Sequence, residues 1–201
     1  MNKLIRTLVV SAVIGLFPQV ASAGFLNVPK QSLDLPVAGK VNAKGPTLGP
    51  SGFYVMCATI PSACKVQRAR NVSASAGSVQ LTINTLGLID RINRDVNGAM
   101  RPQAESGTVD VWKIGGSSGD CEDYALTKRA ALLRKGFPSS ALLMTSVVTR
   151  RGESHAVLMV RTDRGDFVLD NLNSLVKPWS ATGYRFVSMQ SPDNPRMWVR
   201  L

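Results

Sequence analysis

The sequence predicts an α+β domain, helical in its first part and built of antiparallel strands in its second. Three observations carry this expectation. Apolar residues recur every three or four positions from Leu81 to Met100. A charge-polarised segment bounded by Asp120 and Gly136 follows. From Ala141 onward the period falls to two, in short runs separated by Gly-containing turns.

The elements follow in chain order. Residues 1–23 read as an export signal: Lys3 and Arg6, an apolar run from Leu8 to Phe17, then Ala21-Ser22-Ala23 before Gly24. That run is too short to span a bilayer. Residues 24–77 carry prolines at 29, 36, 46, 50 and 61 and are expected to be irregular, with Cys57 and Cys64 able to close a small surface loop. The domain proper is expected over 78–201. Its first helix begins at a Ser78 cap, is lined by Leu81, Thr85, Leu88, Ile89, Ile92, Val96 and Met100, and ends at Gly98 and Pro102. After an irregular stretch, Gly115-Gly116-Ser117-Ser118-Gly119 leads to a second helix, Cys121 to Lys135. Asp120 is its expected N-cap, Glu122 and Asp123 lie in its first turn, and Lys128, Arg129, Arg134 and Lys135 follow toward its C-terminus. Strands are expected at Ala141–Thr149, His155–Arg161, Asp166–Asp170, Tyr184–Met189 and Arg196–Leu201.

Composition narrows the function. The chain has 201 residues, is 44% hydrophobic and 18% charged, and can bury a core large enough to fold without a structural metal. One histidine excludes zinc sites built on two or three imidazoles. The three cysteines form no Cys-x-x-Cys, and no glycine-rich phosphate loop is present. The net charge is +11, but the basic residues are scattered without interleaved aromatics, which argues against a nucleic-acid platform. In an exported protein the excess fits acidic surface proteins, lipopolysaccharide or anionic lipid, or a merely solvated surface.

Cys121 stands apart from the other two cysteines. A helix N-terminus reached by a glycine-rich loop is expected to lower a thiol pKa, through unpaired backbone N–H groups and the helix dipole. A nucleophilic thiolate wants a base, and His155 is the only imidazole. Asp170 on the next strand is the natural acceptor to orient it. If Thr162 to Gly165 form a four-residue loop, Arg161 faces Asp166, and His155 and Asp170 share a sheet face as diagonal neighbours roughly 7 Å apart. A three-residue loop would separate them. Taken singly, a lone Cys is commonly a buried hydrophobe and a lone His a hydrogen-bonded strand residue. Here they coincide with export, an unpaired thiol and a matched Asp.

Gly119-Asp120-Cys121-Glu122-Asp123-Tyr124-Ala125, with His155-Ala156-Val157-Leu158 and Leu169-Asp170-Asn171, resembles the bacterial transglutaminase-like cysteine peptidase family, whose LapG-type members release adhesins from the cell surface. The similarity runs from Val109 to Leu201. It implies a papain-like, transglutaminase-like fold with Cys121 as nucleophile, His155 as general base and acid and Asp170 as its orienting partner. It further implies calcium on Asp120 and Glu122, with Asp123 a third candidate ligand; N-capping and dipole complementation are the metal-free alternative for these carboxylates. Trp112 matches a tryptophan expected upstream of the nucleophile, as pocket wall or core, although Lys113-Ile114-Gly115-Gly116 departs from the family's continuation. The expected function is an exported, periplasmic cysteine endopeptidase, monomeric by default. Its substrate is expected to be a periplasmic or surface-anchored protein such as an adhesin, and its partner an inner-membrane regulatory protein. Two other readings stay open: amine acyl transfer or amide hydrolysis on the same three residues, and a non-catalytic binding domain of this fold.

Overall fold

The computed structural model describes residues 34–75, 77–105, 107 and 110–201, so the expected export signal lies outside the described residues. The architecture is α+β, a helical layer on an antiparallel-rich sheet. In chain order the elements are β1 (Gly45–Thr47), α1 (Ser51–Thr59), β2 (Ala74–Ser75), β3 (Ser78–Val79), α2 (Ile83–Ala99), β4 (Arg101–Pro102) and β5 (Ser118–Gly119). These are followed by α3 (Cys121–Arg134), β6 (Leu142–Val148), β7 (Ser154–Thr162), β8 (Gly165–Leu169), β9 (Lys177–Pro178), β10 (Arg185–Gln190) and β11 (Trp198–Arg200). The main sheet runs β1-β11-β10-β6-β7, continues on one path through β3 and β2, and carries β8 and then β9 beside β7.

Helix α3 lies across β7 and β6, and α2 packs on α3. The strands alternate as a sheet with two covered faces must. Leu142, Met144, Leu158 and Val160 join Ile89, Ile92, Val96, Leu126 and Leu132 in the principal core. Leu143, Met159 and Met189 meet Val41 in a second cluster, and Val147, Val157 and Val168 form a third against Tyr184.

Three expectations need correction. Helix α2 is capped not by Ser78 but by Thr82, whose hydroxyl accepts from the Thr85 N–H at 3.1 Å. Ser78 is committed to β3, which pairs parallel with the end of β7 through Val79 and Thr162. The segment expected to be irregular contains α1, entered directly after Pro50, whose fixed φ suits a helix start. Phe53, Met56 and Cys57 are spaced for one buried helix face and were hidden by the surrounding prolines. The Cys57–Cys64 disulfide does form, but both cysteines are buried in the principal core rather than on a surface loop.

Candidate active site

The loop before α3 closes tightly. A Cβ on Gly119 would collide with the Asp123 carboxylate, so the first turn of α3 requires glycine there. Asp123 faces inward: its Oδ1 accepts from the Lys113 N–H at 2.7 Å, and its Oδ2 lies 3.8 Å from the Lys113 ammonium. Asp120 occupies the N-cap position, yet its side chain makes no capping hydrogen bond. Its carboxylate lines the adjacent cleft instead, with Oδ1 buried and unpartnered among the described residues.

The sulfur of Cys121 meets two groups. It accepts from the Ala156 N–H at 3.4 Å and donates to Glu122 Oε2 at 2.8 Å. Burial, and then the neighbouring Glu122 carboxylate, push the thiol pKa up. The lowering expected from the helix N-terminus is therefore outweighed, because desolvation and an adjacent carboxylate both disfavour the thiolate. Glu122 is itself raised to about 7, chiefly by burial. Asp120 is raised by burial and by Glu105.

The strand register carries His155 and Asp170 to each other. Arg161 faces Asp166 and Leu158 faces Leu169, as the four-residue reading of the turn requires. At this register His155 Nε2 lies 2.9 Å from Asp170 Oδ1. Asp170 also accepts from the Tyr184 hydroxyl at 2.6 Å and from the Leu172 N–H at 2.9 Å. Burial pushes the Asp170 carboxyl up, but the bonds from His155, Tyr184 and Leu172 overcome it and hold the group below the usual carboxylate range. An ionised acceptor fixes the imidazole proton on Nε2 and leaves Nδ1 as the ring's acceptor. Tyr184 also sets its ring edgewise on His155, with centroids 5.8 Å apart.

Cys121 and His155 line one open cleft of about 620 Å³ with Pro50, Trp112, Ala156 and Arg185. Trp112 is thus both pocket wall and core, packing edge-on against Phe53 of α1. Glu105, Asp110, Asp120 and Glu122 line the same cleft. The sequence reading missed Tyr184, the Ala156 amide, and Glu105 and Asp110. Tyr184 gave only the signal of an aromatic opening a strand, and a backbone amide gives none.

A family model described as bacterial transglutaminase-like cysteine proteinase matches residues 43–201. Among solved structures, calcium-bound LapG of Legionella pneumophila is 26% identical, with a TM-score of 0.46 over 51% of this chain and 62% of that one. LapG of the same organism matches at 24% identity and TM-score 0.45 over 51% and 62%. Its EGTA-treated form matches at 25% and 0.44 over 51% and 61%. This chain thus spans about three-fifths of the length of these relatives. No curated protein matches it.

Proposed function

The chain belongs to the bacterial transglutaminase-like cysteine proteinase family, and from that premise we propose that it is an exported endopeptidase hydrolysing peptide bonds through Cys121, His155 and Asp170. The observation that carries the reading is a single cleft lined by the one unpaired thiol and the one imidazole, with that imidazole bonded to a buried, ionised carboxylate.

Each step then has an owner. His155 Nδ1 takes the thiol proton as the sulfur bonds to the scissile carbonyl carbon, and the Cys121 N–H, at the start of α3, donates to the developing oxyanion. The imidazolium returns its proton to the leaving amine as the C–N bond breaks. Nδ1 next takes a proton from water, which attacks the thioester; as the C–S bond breaks the acid is released and the imidazolium gives that proton to the sulfur, restoring the thiol. Asp170 keeps the ring in the one tautomer these transfers need.

Calcium is proposed on Asp120 and Glu122. Support comes from the orphaned buried Asp120 Oδ1 and from four carboxylates lining one cleft, a hard-oxygen donor set. Among the described residues no three His, Cys, Asp or Glu side chains already converge, and Asp123 turns away toward Lys113. When bound, the cation supplies positive charge that competes with the Cys121 thiol for the Glu122 carboxylate. The proposed compartment is the periplasm. The proposed substrate is a surface-anchored protein such as an adhesin, and the proposed regulator is an inner-membrane protein.

The test compares cells producing the wild-type chain with cells producing Cys121→Ala, sequencing the new termini of proteins released from the surface. Wild-type cells should release a fragment with one new C-terminus that Cys121→Ala cells lack. Identical release from both overturns the reading, and a product of changed mass without chain cleavage would assign acyl transfer to an amine instead.

A further inference from the structure

Asp170 must keep its aim without the help of a strand, because β8 ends at Leu169 and residues 170–176 form a loop. Two local turns shape that loop: the Leu172 N–H donates to Asp170 Oδ1, and the Leu175 N–H to Asn173 Oδ1. Its first two leucines pin nothing, since Leu172 and Leu175 are each 62% exposed. Only Val176, at the far end, packs on the core.

The missing anchorage comes from α2. Asn93 Nδ2 donates to the carbonyls of Asn173 at 3.0 Å and Ser174 at 3.1 Å. Asn97 Nδ2 donates to the carbonyl of Asp170 itself at 2.9 Å and to that of Asn173 at 3.4 Å. The two amides are four residues apart and share one helix face. Asn93 is 0% exposed among the buried apolar residues Ile89, Ile92 and Val96, where a leucine would pack without desolvating an amide. An amide kept in that stripe, spending both donor bonds on one loop, fits a positioning duty better than a core duty.

We propose that Asn93 and Asn97 are positioning residues: α2 holds the backbone of the Asp170 loop so that Oδ1 meets Nε2 of His155 and Nδ1 is left as the ring's acceptor. The proposal rests on the triad reading above. It assigns α2 a share in the proton chemistry although neither amide lines the cleft.

The single histidine makes the test clean, because a ¹⁵N-resolved imidazole spectrum reads His155 alone. The wild-type protein should show a proton on Nε2, shifted downfield and slow to exchange, with Nδ1 unprotonated. Asn97→Leu, branched at the same carbon but without a donor, should speed exchange of that proton about tenfold, the worth of one such hydrogen bond. Asn97→Ala, smaller, uncharged and also donorless, should do the same and decides the matter if the leucine variant does not fold. The double variant Cys57→Ala, Cys64→Ala, destabilised elsewhere, should leave the signal in place. If both Asn97 variants exchange at the wild-type rate while Asp170→Asn abolishes the signal, the positioning role is overturned and the triad survives. If wild type and Asp170→Asn are indistinguishable, the triad reading itself falls and takes the positioning role with it.

Discussion

At the scale of the residue, the buried charges of α3 are the part of the molecule least visible in its sequence. Lys128 looks like a solvated cation of the helix's C-terminal half, but it is 0% exposed, its ammonium has no hydrogen-bond partner among the described residues, and it lies over the Tyr124 ring. Burial lowers its pKa to about 7, and the charge of Asp170 acts against that lowering. Since the unfolded lysine titrates near 10.4, the unfolded chain binds more protons between these values, and the penalty is full below about pH 7 and fades as pH rises toward 10. Lys128→Met should therefore stabilise the protein by about 1–4 kcal/mol below pH 7, with the gain shrinking at alkaline pH. Urea denaturation of both proteins at pH 6 and pH 9.5 checks it. Asp170 has the opposite sign: held below its ordinary value, it stabilises the fold above about pH 4 and loses that contribution on further acidification. Asp170→Asn should flatten the acid limb of the same stability curve. Cys121 and His155 stood out in the sequence as the cysteine left over and the single imidazole, and Asp170 through its hairpin spacing to His155. The thiol's rise was not legible, because it depends first on burial and then on Glu122 folding back onto the sulfur, neither of which any spacing encodes.

At the scale of the element, α2, α3 and the strands β6, β7, β8, β10 and β11 were readable from period and punctuation, the start of α2 shifting most, from a Ser78 cap to Ile83. The hairpin of β7 and β8 was the most informative of them, because its turn length alone decides whether His155 and Asp170 share a face. Helix α1 was not readable. Its buried face was hidden by the surrounding prolines, and its burial is set by tryptophans far along the chain: Phe53 packs edge-on against both Trp112 and Trp198. The disulfide then ties the end of α1 to the turn at Pro61–Cys64, where the Arg129 guanidinium of α3 donates to the Ala63 carbonyl at 2.8 Å. Replacing both Cys57 and Cys64 by alanine should cost about 2–4 kcal/mol. Guanidinium denaturation should show it as a lowered midpoint at unchanged slope. A loss below about 0.5 kcal/mol, the scale of an ordinary surface change, would mean that the bridge is incidental to the core.

At the scale of the whole molecule, the α+β order follows from residues 81 onward and the family resemblance from residues 109 onward, whereas the segment before Leu81 contributes core and one cleft wall without any motif of its own. Its Pro50 lines the cleft, and α1 supports Trp112 behind it. The structure adds a restraint that the sequence did not suggest: in the cleft it shares with His155, Cys121 is kept a thiol by burial and then by Glu122, to which it donates. His155 is proposed to activate Cys121 once that restraint is relieved. The most direct measurement is the rate of Cys121 alkylation by iodoacetamide at pH 7, mapped by mass spectrometry, in wild type, Glu122→Gln and Glu122→Gln with His155→Ala. Removing the carboxylate should accelerate alkylation at least about tenfold, the effect of a 1.4 kcal/mol difference, and adding His155→Ala should abolish the gain. Equal rates in all three proteins, matching a thiol in the unfolded chain, would contradict it.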